Sequence, residues 1–354
     1  MILKRIQVQW LFLLFVFLAS CKGQNYTDPP EKNNRLTEKD LGKSPVVSTK
    51  DTLPDNDAPN TITRSIIQDK SGNIWFATFG GIIKYDGHSC TNITSAVSSS
   101  RFFSVLEDSK GNFWFGSIGS GVYSYDGESF QNFTTNDGLV NNEIVCIYED
   151  KTGDIWFGAN GGVSRYDGDT IRNYIIGEDS MIEDSTGTII PNLQRPPNEV
   201  NSIVEDKTGK YWFGTRGYTF VYDGKRFTAV TQNNRPFTNV RWIIEDKKGN
   251  IWLGGNDGLW QYDGNEFTNI TKDFVGYIYE DKKGNIWTSS DSAGSWILSR
   301  YDFSSTGVEQ RSVSEIKKGE KMFFGILEDS DGNIWVGSLN GVYQYDGQKF
   351  ENFR

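Results

Sequence analysis

Arginines beside aromatic residues are the side chains of this sequence with the most evident binding chemistry. Arg241 directly precedes Trp242, and Arg216 lies two residues before Tyr218. A guanidinium donates paired hydrogen bonds to carboxylates or hydroxyls, and an aromatic ring offers a flat apolar surface. This chemistry suits sugars, acidic sugars or a protein partner, and channel filling without binding remains the alternative. The candidate ligand-binding residues are Arg64, Arg216, Tyr218, Arg241, Trp242, Tyr277 and Trp296.

Catalytic chemistry finds less support in the sequence. The one histidine, His88, directly follows an Asp-Gly pair and is expected in an exposed turn. A serine nucleophile would therefore lack its histidine partner. Asp257 and Asp291 keep an acid/base mechanism open, although nothing in the sequence pairs the two carboxylates. We assign no catalytic residue and expect no cofactor.

Composition narrows the partners and the fold class. The 354 residues include 36 basic and 46 acidic side chains, and the net charge of −10 disfavours nucleic acid as a partner. Three cysteines exclude a disulfide-rich scaffold and a four-cysteine zinc site. Cys90 and Cys146 are expected to be two separate buried thiols, on an outer and an inner strand. The 38 glycines and 50 aromatic residues indicate short strands joined by tight turns.

The elements that must position these side chains come from a repeat. The string D-x-x-G-x-x-W recurs seven times, and each copy is followed by a Tyr-Asp pair. Successive repeat tryptophans are 39, 42, 56, 40, 35 and 48 residues apart, a period typical of propeller blades. The repeat tryptophans, expected to pack between blades, are Trp75, Trp114, Trp156, Trp212, Trp252, Trp287 and Trp335. The sequence predicts an all-β fold, a seven-bladed β-propeller over residues 61–354 with four antiparallel strands per blade.

Strand direction divides the propeller into two faces. The a–b turns (D-x-x-G) and the c–d turns share one end, here called the repeating face. The b–c and d–a loops share the other end, the variable face, where the copies differ in length and composition. Scaffold positions should repeat and a site should break the repeat, so we predict ligand binding on the variable face around blades 4 and 5.

Acidic residues precede the turn aspartates on the repeating face. They could hold Ca²⁺, which takes several oxygen ligands, but turn capping beside neighbouring lysines is the preferred interpretation. We therefore assign no metal site. The residues are Glu107, Glu149, Glu205, Glu245, Glu280 and Glu328, with Gln68 in the first copy.

The longest repeat spacing leaves an insertion at residues 175–198. It includes Met181–Gly187, which resembles an a–b turn without its tryptophan. The segment is too short for another blade, so we expect a hairpin rising from the variable face, either as a lid or as decoration.

The N-terminal segment reads as an export signal. Lys4 and Arg5 precede an apolar stretch that is too short to span a membrane. The sequence Leu18-Ala19-Ser20-Cys21 resembles the lipobox of bacterial lipoproteins, which implies cleavage before a lipidated Cys21; an ordinary signal peptide is the alternative. Removing residues 1–20 changes the net charge from −10 to −12, and residues 22–60 have the composition of a flexible linker.

The repeats resemble those of the two-component regulator propeller family, the sensing propellers of bacterial hybrid histidine kinases. This resemblance implies a ligand-binding sensor, here expected as a lipoprotein on the outer-membrane or periplasmic side of the cell envelope. The sequence contains no kinase or receiver, so signalling is expected of a separate partner. The expected ligand is a glycan or another envelope protein, and the alternative is a propeller glycosidase or polysaccharide lyase.

Overall fold

The computed structural model describes residues 47–48, 57–177, 180–189, 199–303 and 312–353. Residues 1–20 and Cys21 lie outside the described residues, so the export signal and the lipidation remain predictions. Among the described residues, no helix combines the length and apolar character needed to cross a membrane.

Seven sheets of four consecutive antiparallel strands make up the fold, and two of them gain a fifth strand. The first of the four strands in each sheet contacts its counterparts in the two neighbouring sheets, and the last of these, in residues 324–328, contacts the first, in residues 63–68. These inner strands therefore surround a central channel. The prediction of a seven-bladed propeller is confirmed.

The strand bounds follow in chain order. Those before the third blade are β1 Val47–Ser48, β2 Thr63–Gln68, β3 Ile74–Thr78, β4 Gly81–Tyr85, β5 Cys90–Asn92, β6 Arg101–Glu107, β7 Phe113–Ile118, β8 Val122–Tyr125 and β9 Ser129–Phe133. Blades 3 and 4 contain β10 Ile144–Glu149, β11 Ile155–Ala159, β12 Gly162–Tyr166, β13 Ile171–Ile176, β14 Met181–Asp184, β15 Val200–Glu205, β16 Tyr211–Thr215, β17 Phe220–Tyr222 and β18 Phe227–Ala229. The remaining strands are β19 Thr231–Gln232, β20 Arg235–Pro236, β21 Val240–Glu245, β22 Ile251–Gly255, β23 Gly258–Tyr262, β24 Phe267–Thr271, β25 Phe274–Glu280, β26 Ile286–Ser292, β27 Ser295–Asp302, β28 Ser312–Gly319, β29 Phe324–Glu328, β30 Ile334–Ser338, β31 Gly341–Tyr345 and β32 Phe350–Phe353. A single 3₁₀ turn, Thr135–Asp137, is the one helical element of the described residues.

One hydrogen-bonding unit explains why the D-x-x-G-x-x-W string repeats. In blade 3, Asp150 accepts backbone N–H groups within its own turn, and its second carboxylate oxygen accepts from Trp156 Nε1 at 2.8 Å. The glycine of the turn has φ 88°, a left-handed conformation that a side chain would strain. All seven copies make the same Asp–Trp bond at 2.8–2.9 Å. Each turn is thus tied to the core of its own blade.

The repeat tryptophans fill the spaces between blades, as predicted. Each is at most 6% exposed. Trp156, for example, contacts Tyr211 and Phe213 of the next blade, with ring centroids 4.9 and 5.7 Å away. Aromatic burial of this kind stabilises the contact between adjacent sheets.

The insertion after blade 3 departs from its predicted position. A hairpin does form, because Gly177 N–H donates to Ser180 O, but β14 pairs with β13 and extends the outer edge of the blade. Buried Met181 fixes this strand against the apolar core. Asp184 then repeats the turn chemistry of the blades by accepting from Thr186 N–H and Thr188 N–H. Because β14 runs back toward the repeating face, residues 181–189 form no lid over the variable face.

Two smaller expectations also change. Val47–Ser48, within the expected flexible linker, form a short strand paired with β9 on the edge of blade 2. Cys90 and Cys146 are both free, as expected, but only Cys146 is buried and Cys90 is half-buried. Burial raises the pKa of the Cys90 thiol to about 11 and that of Cys146 to about 12.

Candidate functional site

A β-bulge interrupts every inner strand at the same place, near the variable face. In blade 1, for instance, the pairing of β2 with β3 shifts between Thr63 and Ser65, so Arg64 has no partner in the ladder. A bulge re-aims the side chain of its extra residue. The seven residues at these bulge positions are Arg64, Phe103, Val145, Asn201, Arg241, Gly276 and Gly325.

Six of the bulge positions line a cavity of about 230 Å³ in the central channel. We call it the channel-mouth cavity. It contains four of the predicted binding residues, namely Arg64, Arg241, Trp242 and Tyr277. Its other notable lining residues are Phe103, Asn201 and Phe324.

Arg64 is held between two aromatic rings. Its guanidinium carbon lies 4.5 Å from the ring centroids of both Phe103 and Phe324, which belong to the blades on either side. Burial and the nearby Arg241 lower the pKa of Arg64 to about 10, so the side chain remains cationic at neutral pH. None of the ion pairs in the described residues involves Arg64.

Arg241 faces the same cavity and meets a second cation. Burial, followed by repulsion from Arg216, lowers its pKa, while Glu199 has the opposite effect. Arg216 itself pairs with Glu199, with Nε and Oε2 2.9 Å apart. Arg241 has no ion-pair partner in the described part of the chain. The group thus contains three guanidiniums and one carboxylate.

An aromatic pair forms another wall of the cavity. Trp242 and Tyr277 stack with ring centroids 3.9 Å apart. Tyr277 is buried, which raises its pKa above the ordinary value. One face of the Trp242 indole is therefore occupied by a neighbour, and the pair is a rigid wall.

The remaining predicted site residues lie elsewhere. Tyr218 packs against the apolar cluster between blades 3 and 4. Trp296 packs edge-on against Phe274 near the end of blade 6, with ring centroids 5.8 Å apart. Neither lines the channel-mouth cavity, while Arg216 approaches it through Arg241. The cavity therefore draws on all seven blades and is not centred on blades 4 and 5.

Two residues that the sequence reasoning missed are Phe103 and Phe324. Phe103 occupies the same bulge position as Arg64, one blade further on, so its register was the available signal. The stack continues outward. The ring centroids of Phe79 and Phe103 are 5.3 Å apart, and the guanidinium carbon of Arg101 lies 5.5 Å from the Phe79 centroid.

A second recess lies further out on the variable face. A groove of about 790 Å³ separates the β19–β20 hairpin from blade 5. Half-buried Trp260 forms its apolar wall, and its Nε1 donates to Asp257 O at 2.8 Å. Asn256, Asn269 and Lys272 supply polar groups to the same groove.

The acidic residues of the repeating face join neighbouring blades. Glu107 of blade 2 accepts from Lys70 N–H of blade 1 at 2.9 Å, and the pattern continues around the ring. Gln68 completes it by accepting from Ser330 N–H of the last blade at 2.8 Å. The other acceptors are Glu149, Glu205, Glu245, Glu280 and Glu328. Turn capping, now seen to act between blades, explains these carboxylates, and no group suited to a metal occurs among the described residues.

The residues considered for catalysis have structural surroundings. His88 is exposed in a c–d turn of the repeating face, away from the cavity. Asp257 accepts from Thr238 N–H at 3.1 Å, and Asp291 accepts from Gly294 N–H at 2.9 Å. Asp291 therefore holds its own loop, and Asp257 joins its loop to the segment that precedes β21.

Comparison with known proteins gives consistent results. The model of the two component regulator propeller matches residues 56–80, 96–119, 138–161, 194–217, 234–257 and 318–340. The extracellular domain of a hybrid two component system from B. thetaiotaomicron is 25% identical to this chain and superposes with a TM-score of 0.63. The match covers 84% of this chain and 40% of the extracellular domain. The chain thus spans less than half the length of that relative. No curated protein matches the chain.

Two lyases share the fold. Virginiamycin B lyase from Staphylococcus aureus is 15% identical with a TM-score of 0.60, over 82% of this chain and 96% of that one. A streptogramin B lyase is 14% identical with a TM-score of 0.59, over 84% of this chain and 97% of that one. At this level of identity the likeness concerns the fold alone.

Proposed function

Because the chain belongs to the two component regulator propeller family, we propose that it is an extracytoplasmic binding module whose ligand occupies the channel-mouth cavity. Its likeness to the extracellular domain of a two component system supports a place outside the cytoplasm. A separate signalling protein is the partner that we propose for this module.

The observation that carries this proposal is the pair of arginines without ion-pair partners. Arg64 and Arg241 line the cavity, and the described residues place no carboxylate within salt-bridge distance of either. Both side chains are half-buried. Withdrawing a charge from water is costly unless the charge is paired, so a fold that retains two such charges is poised for a ligand. The chain as a whole is acidic, which makes this cationic recess a local exception.

A glycan is the ligand class that we favour, with an envelope protein as the second candidate. Arg64, Arg241 and Asn201 offer hydrogen-bond donors, and Trp242 supplies an apolar wall. The cavity includes no histidine, because His88 lies on the repeating face. A glycosidase or lyase would need an acid/base pair, and both variable-face aspartates considered above are engaged by loop amides.

The proposed attachment to the membrane is through Cys21. Its position after Leu18-Ala19-Ser20 fits a lipoprotein signal, and two acyl chains give stable attachment because each buried CH₂ contributes about 0.8 kcal/mol.

A glycan array and an envelope-protein pull-down with the full chain test the proposal. For any ligand found, Trp242→Ala and Arg241→Ala should each weaken binding by at least about 2 kcal/mol, roughly thirtyfold. Trp260→Ala is the matched control, because this tryptophan lies in the outer groove. Unchanged affinity in both cavity variants would refute the site, and cleavage of a bound glycan that is abolished by replacing one carboxylate would establish the enzyme alternative.

A further inference from the structure

The charges around the channel-mouth cavity define the ligand more narrowly. Arg64 and Arg241 line the cavity, and Arg216 lies beside Arg241. Of these three arginines, Arg216 alone has a carboxylate partner among the described residues, namely Glu199. Arg64 and Arg241 are both half-buried. Burial and the nearby Arg241 lower the pKa of Arg64, whereas burial and the nearby Arg216 lower the pKa of Arg241. The described residues around the cavity therefore leave an excess of positive charge that an anion would offset.

The surroundings of Arg64 specify how an anion would approach. Phe103 and Phe324 flank the guanidinium at 4.5 Å and fix its position. A guanidinium held in this way keeps its N–H donors in a fixed fork, which matches the two oxygens of a carboxylate. Little side-chain freedom remains to be lost when the anion binds.

The size of the cavity limits what can enter. Its volume of about 230 Å³ falls below the roughly 300–1,000 Å³ of sites that enclose a drug-sized ligand. It therefore suits the end group of a larger molecule. Asn201 occupies the bulge position of the preceding blade, and its Nδ2 donates to Val240 O at 3.4 Å. The second N–H and the oxygen of this amide suit a hydroxyl group beside the carboxylate.

We propose that the channel-mouth cavity binds the carboxylate of a terminal hexuronic acid, with Arg64 and Arg241 as its cationic partners. This proposal rests on the proposed function, because it names the ligand chemistry of the same site. The aromatic walls and the amide favour a sugar acid over the carboxylate of an acidic peptide, which serves as an outcome of the test.

Calorimetric titration of the full chain with matched sugars tests the carboxylate. D-galacturonic acid and D-glucuronic acid are compared at constant ionic strength with D-galactose and D-glucose, from which they differ by the carboxylate alone. We expect the acids to bind at least tenfold more tightly than the neutral sugars. Acetate and a short peptide ending in aspartate serve as carboxylates from other sources.

Arginine variants connect the binding to the cavity. Arg64→Met and Arg241→Met keep the length of the side chain without its charge, and each should weaken uronic acid binding at least thirtyfold. Arg101→Met is the matched control, because this exposed arginine also contacts a phenylalanine ring but lies outside the cavity, and its affinity should stay within threefold. In the absence of ligand, Arg64→Met should melt at a higher temperature than the native chain, since it removes a half-buried charge that has no ion-pair partner among the described residues and keeps an apolar side chain between Phe103 and Phe324.

The outcomes separate this proposal from the function on which it rests. Equal binding of neutral and acidic sugars that depends on Trp242 but not on Arg64 would overturn the carboxylate and retain the binding module. Arg64-dependent binding of the peptide but not of the uronic acids would overturn the sugar acid. Array ligands that bind independently of every cavity residue would overturn both proposals.

Discussion

Replacement of Trp156 measures how firmly the blades adhere. Its indole is fully buried, its Nε1 donates to Asp150, and the guanidinium carbon of Arg165 lies 5.0 Å from the ring centroid. Trp156→Ala should lower the free energy of unfolding by about 3–5 kcal/mol, the usual result of emptying a site of this size. Trp156→Phe keeps a ring but removes the donor, so we expect a loss of about 1.5–3 kcal/mol, typical of a hydrogen bond to a charged group.

For Trp156→Phe we expect a loss near the lower end of this range, because the Asp150 carboxylate keeps other hydrogen-bond and ion-pair partners. Tyr211 Oη donates to the same Asp150 oxygen at 3.0 Å, and Arg165 lies 3.4 Å away. The total stability of a domain is about 5–15 kcal/mol, so the expected loss in the alanine variant is a large fraction of it.

Urea unfolding followed by far-ultraviolet circular dichroism is the assay. An unchanged slope with a lower midpoint would show that stability alone has changed. Trp260→Ala is the control. Because this indole is only half-buried, its removal should lower the free energy of unfolding by no more than about 1.5 kcal/mol. Equal losses for Trp156→Ala and Trp260→Ala would refute the packing argument. A Trp156→Phe protein as stable as the native chain would refute the contribution of the hydrogen bond.

Three further predictions concern the anchor, acid stability and ring closure. Cys21→Ala should abolish acyl labelling and release the protein from the membrane fraction, whereas Cys90→Ala should do neither; retention of the Cys21 variant would contradict the anchor. Burial opposes ionisation of Asp150, but hydrogen bonds from Thr152, Trp156 and other donors outweigh it and lower its pKa. Stability should therefore be complete above about pH 4 and decline as the pH falls further, and Asp150→Asn should flatten that decline in pH-dependent urea melts. Gln68→Ala should lower the free energy of unfolding by about 1–2 kcal/mol because it removes the hydrogen bonds to Ser330, while Gln68→Glu, the residue of the other blades, should retain the bond from Ser330 N–H. Thermal unfolding is the measurement, and equal melting temperatures of Gln68→Ala and the native chain would contradict this link.

The features that repeat were predictable because they depend on local sequence. The turn of Asp150, its glycine and Trp156 fall within seven residues, and each copy confirms the same local geometry. The burial of the repeat tryptophans follows, since a large side chain at a fixed place on the second strand must meet the next blade. The binding role predicted for the arginines remains a prediction, although four of the chosen residues share the cavity.

The features that were not predictable depend on contacts between distant segments. Arg64 meets Phe324 because blade 7 lies beside blade 1, and their separation in sequence hides this contact. Tyr218 and Trp296 also break the repeat, but the pattern does not specify whether such a side chain faces the channel or a neighbouring loop. The path of β14 depends on the open edge of blade 3, where unpaired backbone groups of β13 accept another strand.

The bulge on every inner strand allows the residues that determine ligand specificity to change without changing the residues that maintain the fold. The residues at the bulge positions lie outside the strand ladder, so exchanging one leaves the backbone hydrogen bonds of its blade intact. In this chain the same structural position holds an arginine, a phenylalanine, a valine, an asparagine or a glycine. Gly276 and Gly325 are the exceptions, because a side chain at Gly276 would meet Met322 and Gly325 has a positive φ. Gene duplication followed by drift at the five other codons would thus generate receptors with different ligands on one scaffold, and the same five codons are a compact library for directed evolution.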